Sequence, residues 1–461
     1  MSTVQVVIDR LGDFGDGVAD RPGAEGAHVG APIFVPSALP GETWSIDAAM
    51  ENGGADAATP VALRDDRRAP RCAHHAACGG CRAQHMPTEI YTAWKTHRVS
   101  SALSQAGVTL RDGRAVAPLL TYGYGHRRRI VVTARAAQSA VTLGYHARAS
   151  SDLVDITMCP IAEPVLEAAL PTLRALAAEL LPSRGAEGAP PPRPAKGARA
   201  SKSGPCELRI AALAASNGLD VAITGVMADP DPNCRARLSE LAEANGIARL
   251  VVGGRDVVRF APPTLLTGTD NEIAIVPPSG SFAQASARAE ADMIARVSAL
   301  VGASTARKTV DLFAGIGTFT LELARSSSVT AVDSDADALA ALTAAANAAI
   351  GLKPITTVHR DLFRDPLAPK ELDAFDALVF DPPRAGSREQ AERIAKSSVP
   401  TVVAVSCNPQ TFARDAALLI AGGYTLEHVQ PIDQFAFSEH VESVAHFSKP
   451  KPRKGGRRRR R

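Results

Sequence analysis

The chain has 461 residues, 45% of them hydrophobic and 21% charged, with a formal net charge of +3. That length exceeds one ordinary core, so two or three domains are expected, and no apolar run reaches the ~18 residues of a membrane-spanning helix. The opening MSTVQVVIDR lacks a basic segment followed by an apolar stretch, so no secretory signal is expected and the protein reads as cytoplasmic.

In chain order, residues 1 to about 65 come first, with short apolar runs at Val4–Ile8, Ile33–Val35 and Trp44–Ile46 between Gly-, Pro- and Asp-rich turns. This is the pattern of a small β-barrel. LGDFGDGVA followed by FVPSALPGE resembles the TRAM domain, an OB-like barrel of RNA-modifying enzymes. Next come Cys72, Cys78 and Cys81 in the spacing C-x5-C-x2-C, with Cys159 further on in DITMCPI. Seven cysteines in a chain without a secretion signal argue against a disulfide framework. Three clustered thiols and a distant fourth suit a four-thiolate site, either zinc or iron–sulfur. The spacing does not choose between them, and His74 and His75 add to the zinc alternative.

From about 66 to 300 the texture is that of an α+β domain, interrupted at 183–204 by a Pro-, Gly-, Ala- and Lys-rich stretch expected to be a flexible insertion. Within it, Tyr122–Ile130 (YGYGHRRRI) and Leu143–Ser150 (LGYHARAS) interleave aromatic and basic residues. Such segments can stack on bases and hold phosphates, or form solvated strand faces.

From about 301 to 448 strands alternate with helices, the signature of a parallel α/β sheet. Val310–Phe313, Val329–Val332, Ile355–Val358, Ala377–Phe380 and Thr401–Val405 read as buried strands, and Asp335–Ile350 as a helix. Thr425–Pro431 and Val441–Phe447 read as a closing antiparallel pair. DLFAGIGTFT (Asp311–Thr320) follows the first strand and is expected to open a helix, its glycines letting the backbone approach a ligand. Asp333, Asp361 and Asp381 stand at the ends of the next three strands, facing one crevice. Any one alone could be a turn or cap aspartate. All in order resemble the class I S-adenosylmethionine-dependent methyltransferases. The resemblance implies a cofactor contact for each of them and for Phe313 and Thr318.

After Asp381-Pro-Pro stands Arg384, where enzymes of this fold that methylate exocyclic amines usually carry an aromatic residue. SCNPQTFARD (Ser406–Asp415) and EHVES (Glu439–Ser443) resemble the uracil-5-methyltransferase family. By that resemblance Cys407 is the covalent nucleophile and Glu442 the base that removes the proton from carbon 5. Lying between a strand and a helix, Cys407 is expected to have a depressed pKa. GSFAQAS (Gly280–Ser286) resembles the family's Phe-x-Gln-x-Asn element, which makes Gln284 a contact of cofactor or base, with Ser286 departing from the usual Asn.

The complete set resembles the iron–sulfur uracil-5-methyltransferases of 23S ribosomal RNA. This implies a [4Fe–4S] cluster on Cys72, Cys78, Cys81 and Cys159, an RNA partner, and no obligate protein partner. Two rivals are the same reaction on a transfer RNA uridine, and an RNA-binding protein with a vestigial methyltransferase fold. The segment 449–461 holds nine basic residues and no acidic one, against 42 basic and 48 acidic in the rest. It is expected to be a disordered tail that solubilises the protein or contacts nucleic acid.

Overall fold

The computed structural model describes residues 3–20, 31–47, 58–136, 140–181 and 207–450. The expected insertion at 183–204 and residues 451–461 of the basic tail lie outside them. The chain divides into two units, neither contiguous in sequence. One comprises 1–70, 81–122 and 291–461, the other 71–80 and 123–290.

The first unit opens with short strands: β1 (Thr3–Val7), β2 (Arg10–Leu11), β3 (Gly17–Ala19), β4 (Ile33–Val35), β5 (Thr43–Asp47) and β6 (Thr59–Ala62). They form two antiparallel three-stranded sheets, β1-β5-β6 and β2-β3-β4. Alternation along β5 turns Trp44 and Ile46 inward. They share one apolar cluster with Val6, Ile8, Ala19, Ile33 and Val35, so the two sheets close over a common core. Helix α1 (Thr88–Gln105) follows, burying Tyr91, Trp94, Lys95, Val99 and Leu103.

The second unit is built on β7 (Arg129–Ala136), β8 (Val141–His146), β9 (Leu153–Asp155), β10 (Glu207–Ala215), β11 (Gly218–Thr224), β12 (Ile247–Val252) and β13 (Arg255–Arg259). They form a sheet of order β13-β12-β11-β10-β7-β8-β9, antiparallel except where β11 meets β12. It carries helices α2 (Pro164–Ala168), α3 (Leu170–Leu180) and α4 (Pro232–Ala244) and a hairpin of β14 (Leu265–Thr267) and β15 (Ile273–Ile275). The division between units falls inside α5 (Ala287–Ala303).

The first unit then resumes with β16 (Lys308–Leu312), α6 (Thr320–Leu323), β17 (Ser328–Asp333), α7 (Ala336–Ala348), β18 (Ile355–His359), α8 (Pro369–Leu372), β19 (Ala377–Phe380), α9 (Arg388–Ala395), β20 (Thr401–Ser406), α10 (Pro409–Ala421), β21 (Thr425–Ile432) and β22 (Glu442–Ser448). The sheet order is β18-β17-β16-β19-β20-β22-β21. β16 to β20 are parallel, and β22 runs antiparallel between β20 and β21. This is a Rossmann-like sheet of mixed strands. The chain leaves β16 first toward β17 and later toward β19. The carboxyl ends of β16 and β19 therefore flank a switch point, where α/β sheets hold ligands.

Candidate active site

The crevice begins where β16 ends. Phe313 has φ +62°, a left-handed backbone that costs a phenylalanine roughly 1–3 kcal/mol. Gly317 has φ +94°, and a Cβ there would meet Leu342 of α7 at 2.3 Å, so any other residue would be strained and would have to displace that side chain. At Gly315 (φ +53°) nothing lies within 4 Å of the Cβ position, which leaves open space above the loop. Its N–H donates to Asp333 Oδ2 (2.8 Å) and that of Asp335 to Asp333 Oδ1 (2.8 Å). Asp333 is thus fixed at the end of β17, each oxygen keeping a second lone pair.

The structure corrects the expectation that the loop opens directly into a helix. Thr318 lies in a turn, and α6 starts only at Thr320 and runs four residues. Asp361 stands two residues beyond β18, where it caps a turn by accepting the N–H groups of Phe363 (3.0 Å) and Arg364 (3.3 Å). That turn brings the Phe363 ring to 5.5 Å from the ring of Phe313.

Asp311 has no assigned role in the sequence reading, and it is fully buried inside β16. Its Oδ2 accepts from Thr320 Oγ1 (2.6 Å), while Oδ1 has no partner among the described residues. Burial pushes its carboxyl up to about 7; the Thr320 bond opposes this and the charges of Asp381 and Asp333 add to it. A lone aspartate inside the apolar strand Lys308–Leu312 was the available signal.

Cys407 and Glu442 meet through strand pairing. β20 and β22 run antiparallel with Ser406 opposite Ser443, so the residue leaving β20 and the residue entering β22 are brought to one edge of the sheet. Asp381 leaves β19 beside them. Asn408 caps α10 by accepting the Gln410 N–H (3.1 Å), and its Nδ2 donates to Arg384 O (3.1 Å). The SCNP turn is thereby tied to the DPPR turn.

The expected depression of the Cys407 pKa is not found. Burial pushes the thiol up to about 12, the carboxylates of Glu442 and Asp381 add to this, and Arg384 only partly opposes it. The cap also occupies an amide of the α10 N-terminus that could have stabilised a thiolate. Glu442 is buried, and burial first, then Asp381, raises its carboxyl well above the usual range. Gln434 Nε2 donates to its Oε2 (3.0 Å) and opposes the rise.

Gln434 sits on the connection between β21 and β22, which a buried ion pair holds in place. Lys95 Nζ on α1 contacts Asp433 Oδ1 (2.5 Å), His440 O (2.5 Å) and Phe435 O (3.0 Å). Tyr91 donates its hydroxyl to Asp433 Oδ2 (2.5 Å) and accepts the Phe437 N–H (2.9 Å). No periodicity announced this pair, because α1 and Asp433 are remote in sequence.

In the second unit Gln284 is buried, and its carbonyl accepts from Arg128 Nε (2.9 Å). Ser286 accepts the Ala289 N–H (3.3 Å) on its Oγ at the start of α5. Two residues of the expected RNA-facing segments are engaged internally. Arg128 is buried against Glu290, and the Tyr145 hydroxyl hydrogen-bonds Cys159. Cys72 and Cys78 are half-buried, Cys81 and Cys159 buried. Burial raises the thiols of Cys72 and Cys78, and that of Cys159 to about 11; Cys72 lies within electrostatic reach of both Cys78 and Cys159. Among the described residues no group of three or more His, Cys, Asp or Glu is placed to hold a metal ion.

Three kinds of comparison bear on this site. Residues 264–449 match the model of a family described as tRNA (uracil-5-)-methyltransferase. An uncharacterised RNA methyltransferase of Brucella suis is 40% identical over 97% of this chain and 98% of its own. A 23S rRNA (uracil(1939)-C(5))-methyltransferase of Chromohalobacter salexigens is 30% identical over 97% of this chain and 89% of its own. The tRNA (uracil-54, C5)-methyltransferase of Pyrococcus abyssi, solved with S-adenosyl-L-homocysteine, superposes with a TM-score of 0.70 at 21% identity, over 96% of this chain and 99% of that one. No helix among the described residues is long and apolar enough to cross a membrane.

Proposed function

The chain belongs to the tRNA (uracil-5-)-methyltransferase family of RNA methyltransferases, and on that premise we propose that it methylates carbon 5 of one uridine in 23S ribosomal RNA, in the cytoplasm, with S-adenosylmethionine as donor. The observation that carries this reading is the β20–β22 register, which puts Cys407 and Glu442 at one edge beside Asp381. The open space at Gly315 and the unpartnered Asp311 oxygen fit a polar cofactor. Asp333, Asp361, Phe313, Thr318 and Asp381 of the first unit would hold it; a part for Gln284 rests on the family resemblance alone. When bound, it supplies a methyl group on a positively charged sulfur.

The chain's own groups do the rest. Carbon 5 of uracil is weakly nucleophilic. Cys407 Sγ, once it has lost its proton, bonds to carbon 6 and pushes the ring electrons toward oxygen 4, so that carbon 5 can take the methyl group. A thiol at about 12 makes that deprotonation demanding. Glu442 then takes the proton from carbon 5, and the bond from carbon 6 to Sγ breaks. A carboxylate in so unfavourable a site is a strong base once ionised. The target uridine must leave its stack to reach Cys407.

Two further parts of the reading concern the rest of the chain. The two small sheets over one core support a TRAM-like barrel in residues 1–65. Cys72, Cys78, Cys81 and Cys159 as [4Fe–4S] ligands rest on the family resemblance and on the electrostatic reach of Cys72 to Cys78 and to Cys159. Iron and acid-labile sulfide near four per chain in anaerobically purified protein would support the cluster; bound zinc or no metal would overturn it.

The deciding experiment is mass spectrometry of ribosomal and transfer RNA from a strain lacking this gene. Loss of 5-methyluridine at one position of 23S RNA is the expected outcome. Loss in transfer RNA would favour the reading that the family model's description carries. No loss in either would favour an RNA-binding protein with a vestigial fold.

A further inference from the structure

Beside the site described above, the first unit gathers basic and aromatic groups that the methyl transfer does not use. The β2–β3 turn is fastened to α1: Trp94 Nε1 donates to Gly12 O (2.9 Å), and Gly15 (φ +81°) packs so closely that a Cβ would sit 3.1 Å from the Trp94 ring. The turn presents Phe14, 56% exposed, with the Arg82 guanidinium over its ring at 5.4 Å from the centroid. Arg82 also lies 3.5 Å from Glu439. One turn along α1, Arg98 stands with its guanidinium 5.9 Å from the centroid of the Trp94 ring.

Arg98 is the unusual member. Its Nε and Nη1 are buried and have no hydrogen-bond partner among the described residues. Guanidinium donors left so are costly unless a ligand takes them. Burial lowers its pKa; Asp13 and Glu439 pull it back up, and Arg384 pushes it down again. Arg98 is therefore within electrostatic reach of Arg384, whose charge also acts on Cys407. Arg82, Arg98 and Arg384 lie among the carboxylates of Asp13 and Glu439, while Lys95 is neutralised by Asp433. Asp381 and Glu442 act on Cys407 together with Arg384, so what the region keeps is not excess charge but the Arg98 donors that no described residue takes.

We infer that Phe14, Arg82, Arg98 and Arg384 form a subsite for a nucleotide flanking the target uridine, the guanidinium groups of Arg98 and Arg384 taking its phosphodiester and the Phe14 ring its base. The chemistry matches: guanidinium forks bind phosphate oxygens in pairs, and an exposed aromatic ring stacks on any base. The inference rests on the reading of this chain as an RNA-methylating enzyme. It gives the N-terminal strands a direct part in the substrate site.

The test uses the full chain and a short fluorescein-labelled oligouridylate, with anisotropy followed across a KCl series. Arg98→Met should raise Kd about tenfold and flatten the slope of log Kd against log salt by about 0.7, the share of one single-strand phosphate. Phe14→Ala should raise Kd about tenfold with the slope unchanged. Both should bind S-adenosylhomocysteine like the parent in calorimetry. Parental Kd and slope in Arg98→Met at a parental melting temperature would overturn the subsite, and so would loss of S-adenosylhomocysteine binding with RNA binding intact. If Arg98→Met unfolds, the exposed Phe14→Ala decides: parental affinity for the oligouridylate overturns the proposal. Binding is read without turnover, so failure to find 5-methyluridine would sink the proposed activity and leave this result standing.

Discussion

The two seven-stranded sheets treat buried charge in opposite ways. In the mixed sheet of the second unit, buried ions among the described residues come paired. Arg249 clasps Asp220 through two bonds of 2.8 and 2.7 Å, and Arg128 meets Glu290, which also accepts from Thr267. In the Rossmann-like sheet, Asp311 and Glu442 are buried with no cation paired to them, among the described residues, and Cys407 is raised by burial and then by Glu442 and Asp381. Paired charges in a core specify architecture, whereas unpaired ones are tolerated where a ligand or a proton transfer will compensate them. That contrast separates the scaffold of this molecule from its chemistry.

Five substitutions or treatments press on it, beginning with the largest effect. Cys407→Ala should lower methyl transfer by at least about a thousandfold with S-adenosylhomocysteine binding intact. Glu442→Gln should lower it as far but leave an RNA adduct that survives denaturing gel electrophoresis, because addition proceeds and elimination fails. A freely turning-over Glu442→Gln enzyme would remove Glu442 as the base.

Next is the thiol. With a pKa of about 12, alkylation of Cys407 by iodoacetamide in the ligand-free protein should be slow at neutral pH and rise about tenfold per pH unit from roughly 7 to 10. A plateau near pH 8, read by peptide mass spectrometry, would mean that the thiol ionises far more easily than its surroundings indicate.

In the other sheet Asp220→Asn should act on stability alone, costing about 3–5 kcal/mol by leaving Arg249 buried without its partner. Turnover per folded molecule should stay at the parental value. A selective loss of turnover at unchanged melting temperature would break the comparison.

The smallest effect is at Asp311. Its folded-state pKa is raised, from 3.8 to about 7, so the stability it contributes is present below the unfolded value and is lost as pH rises through the folded one. Asp311→Asn removes that dependence. The variant should therefore gain about 2–3 kcal/mol relative to the parent between pH 5 and pH 8, in denaturant titrations. Equal differences at both pH values would show that Asp311 is ionised in the folded protein.

The sequence by itself determined the α/β alternation, because strands buried on both faces read as unbroken apolar runs such as Ala377–Phe380 and Thr401–Ser406. It also carried the glycine loop and the short motifs around Asp381, Cys407 and Glu442, since these depend on neighbours within a few residues. What only the tertiary structure decided is non-local. Insertion of β22 between β20 and β21 brings Glu442 to Cys407, the Lys95–Asp433 pair joins α1 to the loop before β22, and burial drives the Cys407 thiol up rather than down. Motif spacing reports which groups are present. Which sign their pKa shifts take follows from desolvation and from charges that chain topology alone brings near.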